Sequence, residues 1–279
     1  MTTLTAGRPA PTGTRGPSHV LADAITMLRR NLLHVVRYPG LSIFTIGGPV
    51  VILVLLVFVF GGTLGAGLPG VDPAVTGRDA YLAYVLPGIL LITIAGTASG
   101  ASITVAMDMT EGITARFRTM SISRAAVLAG HVVGNTIQAI IAVALVLGVG
   151  ILAGFRPTAG PAEWAGVAGL IVAISFAVSW VGVAMGMQSK TVETASNLPL
   201  LLSLLPILGS GFVPTESMPA GMQWFAEHQP FTPFIEAIRG LLLGTPLGSN
   251  LPLAVGWSVV IAVAGYAWAM ALYERKSVR

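Results

Sequence analysis

The side chains that most often perform catalysis are few in this sequence and lie far apart. Lys190 and Lys276 are its two lysines, and neither completes the G-x-x-x-x-G-K-[ST] loop that binds nucleotide phosphates. There is no cysteine, no HExxH zinc motif and no GxSxG nucleophile motif. The histidines are scattered, at His19, His34, His131 and His228. We therefore predict no catalytic residues, no metal site and no ATP-hydrolysing activity in this chain.

One long apolar stretch carries three polar side chains about a turn apart, His131, Asn135 and Gln138. Polar side chains inside a membrane commonly hydrogen-bond to a neighbouring helix, and less commonly face a substrate or relay protons. These three residues are interpreted either as helix-to-helix contacts or as part of a translocation path. The long apolar stretches contain no acidic residue and no arginine, which argues against an ion-gradient transporter.

The elements that must position these side chains are long, uncharged and hydrophobic. Hydrophobic residues make up 54% of the 279 residues and charged residues only 9%, and the mean hydropathy is +0.83. A helix needs about 20 apolar residues to cross a bilayer core, because lipid cannot satisfy exposed backbone groups. Stretches that meet this requirement are residues 41–62, 84–107, 125–155, 164–187 and 251–273.

A sixth stretch, residues 198–213, is shorter and contains Pro199 and Pro206. We interpret it as a span that is bent or completed by a re-entrant segment, because proline interrupts helical hydrogen bonding. The predicted fold class is an all-α membrane protein with six transmembrane helices, formed by residues 20–279. Residues 1–19 are predicted to form a flexible cytoplasmic tail. They lack the apolar core that a cleavable signal peptide requires.

Lysines and arginines are distributed unevenly between the two sets of alternating loops. One set carries twelve of them, whereas the other carries only Arg78, Arg156 and Arg239. Because cytoplasmic loops are enriched in basic residues, both termini are predicted to be cytoplasmic. The pI near 9.9 does not indicate nucleic-acid binding, since no basic patch with interleaved aromatic residues accompanies it.

Residues 20–38 predict an amphipathic helix that ends at Pro39 and Gly40. Leucine, isoleucine and valine recur on one face of this helix. Such a helix lies in the plane of the cytoplasmic interface, with its guanidinium groups among the lipid phosphates. Its basic residues are Arg29, Arg30, His34 and Arg37. The pattern leaves open whether the helix is a passive anchor or has a mechanical role.

Residues 107–124 are the most charged short segment in the interior of the chain, and they predict a short helix and turn on the cytoplasmic side. Glu111 lies towards the N-terminus of this helix, and Arg116 and Arg118 lie towards its C-terminal half. The helix dipole favours this arrangement of charges. A solvated loop that follows the positive-inside pattern explains the same charges, so a structural and a functional interpretation both remain open.

Residues 209–240, before the last span, are too long for a turn and too apolar for a solvated loop. Aromatic residues such as Trp224 suit the headgroup zone, so we place the segment at the outer interface, divided into short helices by proline and glycine. Glu236 and Arg239 lie three residues apart on a predicted helix and are expected to pair. The pair is interpreted either as structural or as part of an outer gate.

Two passages of the sequence resemble the type-2 ATP-binding-cassette (ABC) exporter permeases, in particular the daunorubicin-resistance-like class. The first is Glu111-Gly112, followed by Arg116-Phe117 and Ser123-Arg124, which resembles the family's EGT-x-E-R-L and P-x-S-R cytoplasmic connection. The second is similar to the family's outer re-entrant segment and contains Ser210-Gly211, Pro214, Pro219, Trp224, Gln229-Pro230 and Glu236-Ala237-Ile238-Arg239-Gly240. The resemblance covers nearly the whole chain after the tail.

This resemblance implies a role for each segment. Residues 107–124 would hold the coupling helix that docks on an ATPase, through Asp108, Glu111, Gly112, Arg116, Phe117, Arg118 and Arg124. Residues 20–38 would form a gate helix at the cytoplasmic entrance, with Arg29, Arg30, His34 and Arg37. The outer re-entrant segment would involve Pro214, Pro219, Trp224, Gln229, Pro230, Glu236 and Arg239.

The resemblance also implies partners. The chain would pair with a second copy of itself or a homologous permease in the lipid of the bacterial cytoplasmic membrane. Two copies of a separate ATPase would bind its cytoplasmic side and use ATP and Mg²⁺, whereas this chain would bind no cofactor. The cargo would be a hydrophobic or amphipathic drug, antibiotic or lipid-like compound. A polysaccharide or glycolipid exporter and a gradient-driven transporter are the alternative functions.

Overall fold

The computed structural model describes residues 39–65, 68–110 and 124–277, and every regular element in these ranges is helical. The helices are α1 (Pro39–Leu55), α2 (Gly61–Leu64), α3 (Gly77–Thr110), α4 (Arg124–Leu152), α5 (Pro161–Gln188), α6 (Val192–Asn197), α7 (Leu200–Leu204), α8 (Ala220–His228), α9 (Phe231–Leu243) and α10 (Asn250–Ser277). A π-helical turn, Leu56–Phe60, joins α1 to α2, and a 3₁₀ turn, Thr215–Ser217, precedes α8. The predicted tail and amphipathic helix lie outside the described residues.

Five helical segments of the described ranges are long and apolar enough to cross a membrane, namely Gly47–Leu64, Gly77–Met109, Leu128–Leu152, Pro161–Gln188 and Asn250–Glu274. They coincide with the five long predicted spans, so the all-helical membrane fold is confirmed. The helices α3, α5 and α10 extend beyond the apolar stretches at both ends, whereas α4 ends at Leu152, before residue 155. For example, α3 begins at Gly77 and includes Arg78 and Asp79. Charged residues end an apolar stretch, but they do not end a helix, because their backbone groups make the same helical hydrogen bonds.

The predicted sixth span, residues 198–213, is not one continuous helix. Helical structure ends at Leu204, and turns follow through residue 212. Pro199 and Pro206 lack the backbone N–H that a continuous helix would need, and Gly209 and Gly211 follow in the turns. The interruption expected from the two prolines is therefore present, and within residues 198–213 the only helix is the short α7, which is followed by turns.

The two ends of α3 mark the two ends of the helix bundle, here named the Tyr84 end and the Asp108 end. At about 1.5 Å of rise per residue, Tyr84 and Asp108 are separated by about 36 Å, which exceeds the hydrocarbon thickness of a bilayer. α4 runs antiparallel to α3, since Gly150 packs on Leu86 while His131 pairs with Asp108. The chain therefore turns back on itself between α3 and α4 at the Asp108 end.

α5 lies against α3 at very close range and runs in the same direction. A Cβ atom added to Gly182 would lie 2.7 Å from the carbonyl oxygen of Ala98, and one added to Gly186 would lie 2.4 Å from that of Ser102. A side chain cannot be accommodated at either distance, so glycine at these positions permits the two backbones to touch. Small residues serve the same purpose at helix contacts within membranes generally.

The apolar interior is divided into two buried clusters. The larger cluster lies at the Tyr84 end and contains residues of α1, α3, α4, α5, α9 and α10. The smaller cluster lies towards the Asp108 end, where α3, α4, α5 and α10 meet. Its buried members are Ala101, Val105, Leu128, Val132, Trp180, Val183, Ala184, Met187, Ala269 and Tyr273. Each end of the bundle therefore has a packed core of its own.

The broken segment between α5 and α8 leads from the Asp108 end to the Tyr84 end. α5 ends one residue after Met187, which belongs to the smaller cluster. The segment then reaches Gly211, which touches α3 so closely that a Cβ atom on Gly88 would lie 2.8 Å from the Gly211 Cα. The broken segment therefore passes from the level of Ser102 to the level of Gly88. These two residues are about 21 Å apart along the axis of α3, at about 1.5 Å per residue.

α8 and α9 form a helical hairpin beside this broken segment. At the tip of the hairpin, the side-chain amide of Gln229 donates a hydrogen bond of 2.9 Å to the carbonyl of Leu205. Near the end of α9, the carbonyl of Leu242 accepts the backbone N–H of Thr158, in the connection between α4 and α5, at 3.0 Å. The hairpin is therefore attached to the bundle at both its tip and its base.

Candidate functional site

Arg239 of α9 is almost completely buried, with 1% of its surface exposed, although its guanidinium group carries a permanent charge. Nη1 donates to the carboxylate of Glu236, and Nη2 donates to the backbone carbonyls of Tyr84, at 2.9 Å, and Ser210, at 2.8 Å. The guanidinium carbon lies 3.9 Å from the centroid of the Tyr84 ring. One side chain thus connects α3, the broken segment and α9.

The pairing of Glu236 with Arg239 that the sequence predicted is present. Burial of an unpaired guanidinium would cost several kcal/mol, on the order of the desolvation penalty of a single ion. Here the carboxylate, two backbone carbonyls and an aromatic face compensate that penalty together. This arrangement makes Arg239 a tether at the Tyr84 end, whatever further role the segment has.

Gln229 is also buried, and it fixes the tip of the α8–α9 hairpin. Besides its bond to Leu205, its amide nitrogen lies 3.4 Å from the hydroxyl of Thr232. A Cβ atom at position 209 would lie only 2.4 Å from the side-chain nitrogen of Gln229. The Gln229 amide thus occupies the space that a side chain at position 209 would need. The close approach of Gln229 to the broken segment therefore depends on glycine at position 209.

The remaining residues predicted for the outer segment are less buried. Pro219 and Pro230 directly precede α8 and α9, where a missing backbone N–H costs no helical hydrogen bond. Pro214 is half-buried just before the 3₁₀ turn. Trp224 is 64% exposed and stacks on His228, with 4.7 Å between the ring centroids. The exposed indole suits a headgroup environment.

Asn135 of α4 lies between the two apolar clusters and contacts α5. Its amide nitrogen donates to the hydroxyl of Ser179 at 2.8 Å, and that hydroxyl donates to the carbonyl of Ser175 at 2.6 Å. Asn135 is 5% exposed and Ser179 is 1% exposed. We name Asn135, Ser175 and Ser179 the Asn135 layer. In this layer Asn135 makes a polar contact between helices, as the first of its two interpretations expects.

The other two polar residues of this stretch have different surroundings. Gln138 is half-buried and takes part in none of the hydrogen bonds found among the described residues. His131 points instead to the Asp108 end, where its Nε2 lies 3.2 Å from the carboxylate of Asp108. The structure therefore does not bring His131, Asn135 and Gln138 together in one site. Their assignment to a translocation path remains a prediction.

Most of the residues predicted to contact an ATPase lie outside the described residues. These are Glu111, Gly112, Arg116, Phe117 and Arg118, and the same holds for the gate residues Arg29, Arg30, His34 and Arg37. Asp108 lies in the last turn of α3, and Arg124 is the first residue of α4. The two helix ends that flank the predicted coupling segment are thus defined.

Three features of the site were not found from the sequence. Tyr84 and Ser210 hold Arg239 through their backbone carbonyls, which carry no residue-type signal. Ser179 is one of two serines in α5, and nothing in its spacing marks it as the partner of Asn135. The contact of Asp108 with His131 could have been predicted in part, because the sequence places both residues near the connection between two consecutive predicted spans.

The described polar contacts position helices relative to one another. Within residues 39–65, 68–110 and 124–277, no group of three or more acidic or histidine residues is arranged to hold a metal ion. The charged and polar contacts instead link helices at three levels, namely Arg239 at the Tyr84 end, the Asn135 layer between the two clusters, and Asp108 with His131 at the Asp108 end.

Comparison with known proteins gives a consistent result. The family model described as ABC-2 type transporter matches residues 23–243. The chain is 25% identical over 259 residues to the daunorubicin resistance ABC transporter permease protein DrrB1 of Streptomyces coeruleorubidus, covering 92% of this chain and 88% of that protein. It is 27% identical over 263 residues to the probable doxorubicin resistance ABC transporter permease protein DrrC of Mycobacterium tuberculosis (strain CDC 1551 / Oshkosh), covering 91% and 90% respectively.

Proposed function

The chain belongs to the ABC-2 type transporter family, and from this membership we propose that it is the membrane-spanning permease subunit of an ABC drug exporter. The observation that carries the proposal is that the family match includes four of the five long apolar helices, from Gly47–Leu64 to Pro161–Gln188, and that the relatives named as permeases match more than nine-tenths of the chain. A separate ATPase subunit supplies the energy, and it alone binds ATP and Mg²⁺.

We propose that the broken segment is the sixth crossing of the membrane. It leads from the Asp108 end to the Tyr84 end beside α3, and its backbone groups are satisfied in part by other protein groups, such as Gln229. Non-helical backbone is tolerated at membrane depth only when protein or a water-filled cavity surrounds it. The α8–α9 hairpin would then be the re-entrant element that covers this segment from the outside.

The proposed orientation places the Asp108 end in the cytoplasm, with both termini on that side. The three arginines expected outside lie together at the Tyr84 end. Arg78 begins α3, Arg156 follows α4, and Arg239 anchors α9. Lys190 lies beyond the C-terminal end of α5 at the opposite end. This separation of basic residues agrees with the positive-inside tendency and supports the orientation.

We propose that two permeases and two ATPase subunits form the complete exporter. Each ATPase would contact residues 107–124 at the Asp108 end, and nucleotide-driven closure of the ATPases would move α3 and α4. Residues 20–38 would close the cytoplasmic entrance in the same step. The exposed apolar faces of the π-helical turn Leu56–Phe60 and of α10, which include Phe58 and Val263, would contact lipid or the second permease.

The proposed cargo is a hydrophobic or amphipathic drug. The relatives are named for daunorubicin and doxorubicin, which combine a planar apolar ring system with an amino sugar. An apolar pathway between helices suits the rings, and polar side chains such as Gln138 could contact the sugar. Fluorescent daunorubicin is therefore the first cargo to test.

The composition of the complex provides the first test of this proposal. The tagged permease is cross-linked in intact cells, purified in mild detergent and measured by native mass spectrometry. We expect two permeases with two copies of a polypeptide that carries a nucleotide-binding P-loop. A permease that is recovered without any P-loop polypeptide, with and without cross-linking, contradicts the proposed function.

A further inference from the structure

The side chains of Asp108 and His131 meet between α3 and α4 at the Asp108 end. Nε2 of His131 lies 3.2 Å from the Asp108 carboxylate, so the two groups form an ion pair when the imidazole is protonated. Both side chains are about four-fifths buried, with 20% and 18% of their surfaces exposed. Solvent therefore screens the interaction of these two groups less than it would screen a pair on the surface.

The position of the pair relates it to the connection between the two helices. Asp108 lies two residues before the end of α3, and His131 lies two turns into α4. Residues 111–123, between these helices, are the segment for which we propose contact with the ATPase. Any force applied to this segment must enter the membrane through the ends of α3 and α4, which the pair joins.

The smaller apolar cluster lies directly against the pair. Leu128 and Val132, which flank His131 on α4, belong to this cluster, as does Val105, which precedes Asp108 on α3. The cluster also includes Trp180 of α5 and Tyr273 of α10. The pair is thus the polar edge of a four-helix core at the Asp108 end.

The Asn135 layer separates this core from the larger cluster at the Tyr84 end. On α4, Asn135 lies one turn beyond His131, and on α5 Ser179 lies beside Trp180. Interhelical polar contacts of this kind contribute little to stability in a membrane.

We propose that Asp108 and His131 are positioning residues for energy coupling. The pair keeps the ends of α3 and α4 together throughout the transport cycle, so that force on residues 111–123 moves both helices as one unit. Without the pair, the two ends separate and the force is lost in local bending. This inference rests on the proposed function, because it requires an ATPase that acts on residues 111–123.

The first experiment measures transport and ATP hydrolysis in the same proteoliposomes, which contain the permease and its ATPase. Asp108→Asn and His131→Gln are compared with Asp79→Asn, a carboxylate at the opposite end of α3 that is mostly exposed. We expect ATP hydrolysis to persist while the daunorubicin transported per ATP falls about fivefold, the factor for a contact worth about 1 kcal/mol. Asp79→Asn should leave this ratio unchanged.

The exchanged pair, Asp108→His with His131→Asp, is the second arm. It restores a carboxylate beside an imidazole with their positions exchanged, and we expect it to recover at least half of the wild-type transport per ATP. A purely structural role would alter protein yield and melting temperature without changing this ratio. An unchanged ratio in both single variants, or no recovery in the exchanged variant, overturns the proposal.

A covalent tether tests whether the two ends must stay together. The wild-type chain has no cysteine, so Asp108→Cys with His131→Cys provides the only two thiols in the permease, to be used with a cysteine-free ATPase. We expect the untethered variant to be uncoupled and a short thiol-specific cross-linker to restore transport per ATP. If the tether abolishes transport, or if all these variants fail to assemble as folded complexes, the proposal is overturned.

The wild-type control separates this inference from the proposed function. If the wild-type complex shows no ATP-dependent transport, then the proposed function fails and the pair has no coupling role. If the wild-type complex transports drug and the Asp108→Asn variant transports equally well per ATP, only the positioning role fails.

Discussion

Arg239 donates a hydrogen bond to the backbone carbonyl of Tyr84 and lies with its guanidinium over the ring of the same residue. The two residues are far apart in the sequence, and their contact attaches the α8–α9 hairpin to α3. The same guanidinium also binds the carbonyl of Ser210. Three elements are therefore held by one cation, and the stability of the Tyr84 end depends on it.

The first prediction concerns this cation. Arg239→Ala removes one partner of a buried ion pair and leaves Glu236 and two carbonyls unsatisfied. We expect the free energy of unfolding to fall by about 3–5 kcal/mol. Thermal unfolding of the purified permease in detergent measures the change. Arg156→Ala is the matched control, since Arg156 is exposed, and it should change stability by less than about 0.5 kcal/mol. Equal melting temperatures for the two variants would show that Arg239 is not a tether.

The second prediction concerns the contact between α3 and α5. A Cβ atom at Gly186 would collide with the backbone of Ser102, and a shift of α5 costs about 1–3 kcal/mol. We therefore expect Gly186→Ala to lower the melting temperature. Gly169 is on the same helix, and a Cβ atom there would meet nothing within 4 Å.

Gly169→Ala serves as the control for this substitution. Alanine favours helix over glycine by up to about 1 kcal/mol, so Gly169→Ala should leave stability unchanged or raise it. If both alanine variants melt at the same temperature, the two helices do not require glycine at position 186.

The third prediction concerns the Asn135 layer. Asn135→Ala, Ser179→Ala and the double variant form a thermodynamic cycle for the interhelical hydrogen bond. We expect a coupling energy of about 0.6–2 kcal/mol, the range for such bonds in membranes. A coupling energy near zero, with drug transport lost in Asn135→Ala alone, would instead favour the translocation-path interpretation of this residue.

The fourth prediction concerns the cytoplasmic segment that resembles a coupling helix. Loss of an interfacial charge that is paired and buried costs about 2–5 kcal/mol, so Glu111→Ala or Arg116→Ala should weaken ATPase retention at least about tenfold. Copurification of the ATPase measures this effect. Glu163→Ala, at the Tyr84 end, should retain the ATPase fully. If both Glu111→Ala and Arg116→Ala retain it equally well, the coupling assignment of residues 107–124 is wrong.

The sequence predicted the long helices because their signal is local and strong. Each stretch without charged residues exceeds the length of a bilayer crossing, and the helices between Gly77 and Gln188 follow from this property alone. The broken segment was only partly predictable. Two prolines predicted an interruption of the helix. The course of the broken segment also depends on its packing against Gly88 and Gln229, which lie outside that segment in the sequence.

The site was less predictable than the fold, for a physical reason. Glu236 and Arg239 are one turn apart on a single helix, so their spacing predicted the pair. The contacts of Asn135 with Ser179, and of Asp108 with His131, join different helices. Such contacts depend on the relative rotation of two helices, which hydropathy does not encode.

The central claim is that this permease moves drug only through the work of a separate ATPase. The most direct measurement uses purified permease in sealed proteoliposomes, with and without the ATPase, and follows daunorubicin accumulation after ATP addition. We predict accumulation only when both proteins and ATP are present, and none with an ATPase whose P-loop lysine is replaced. Accumulation of drug against its gradient by the permease alone, driven by an ion gradient, would contradict the account.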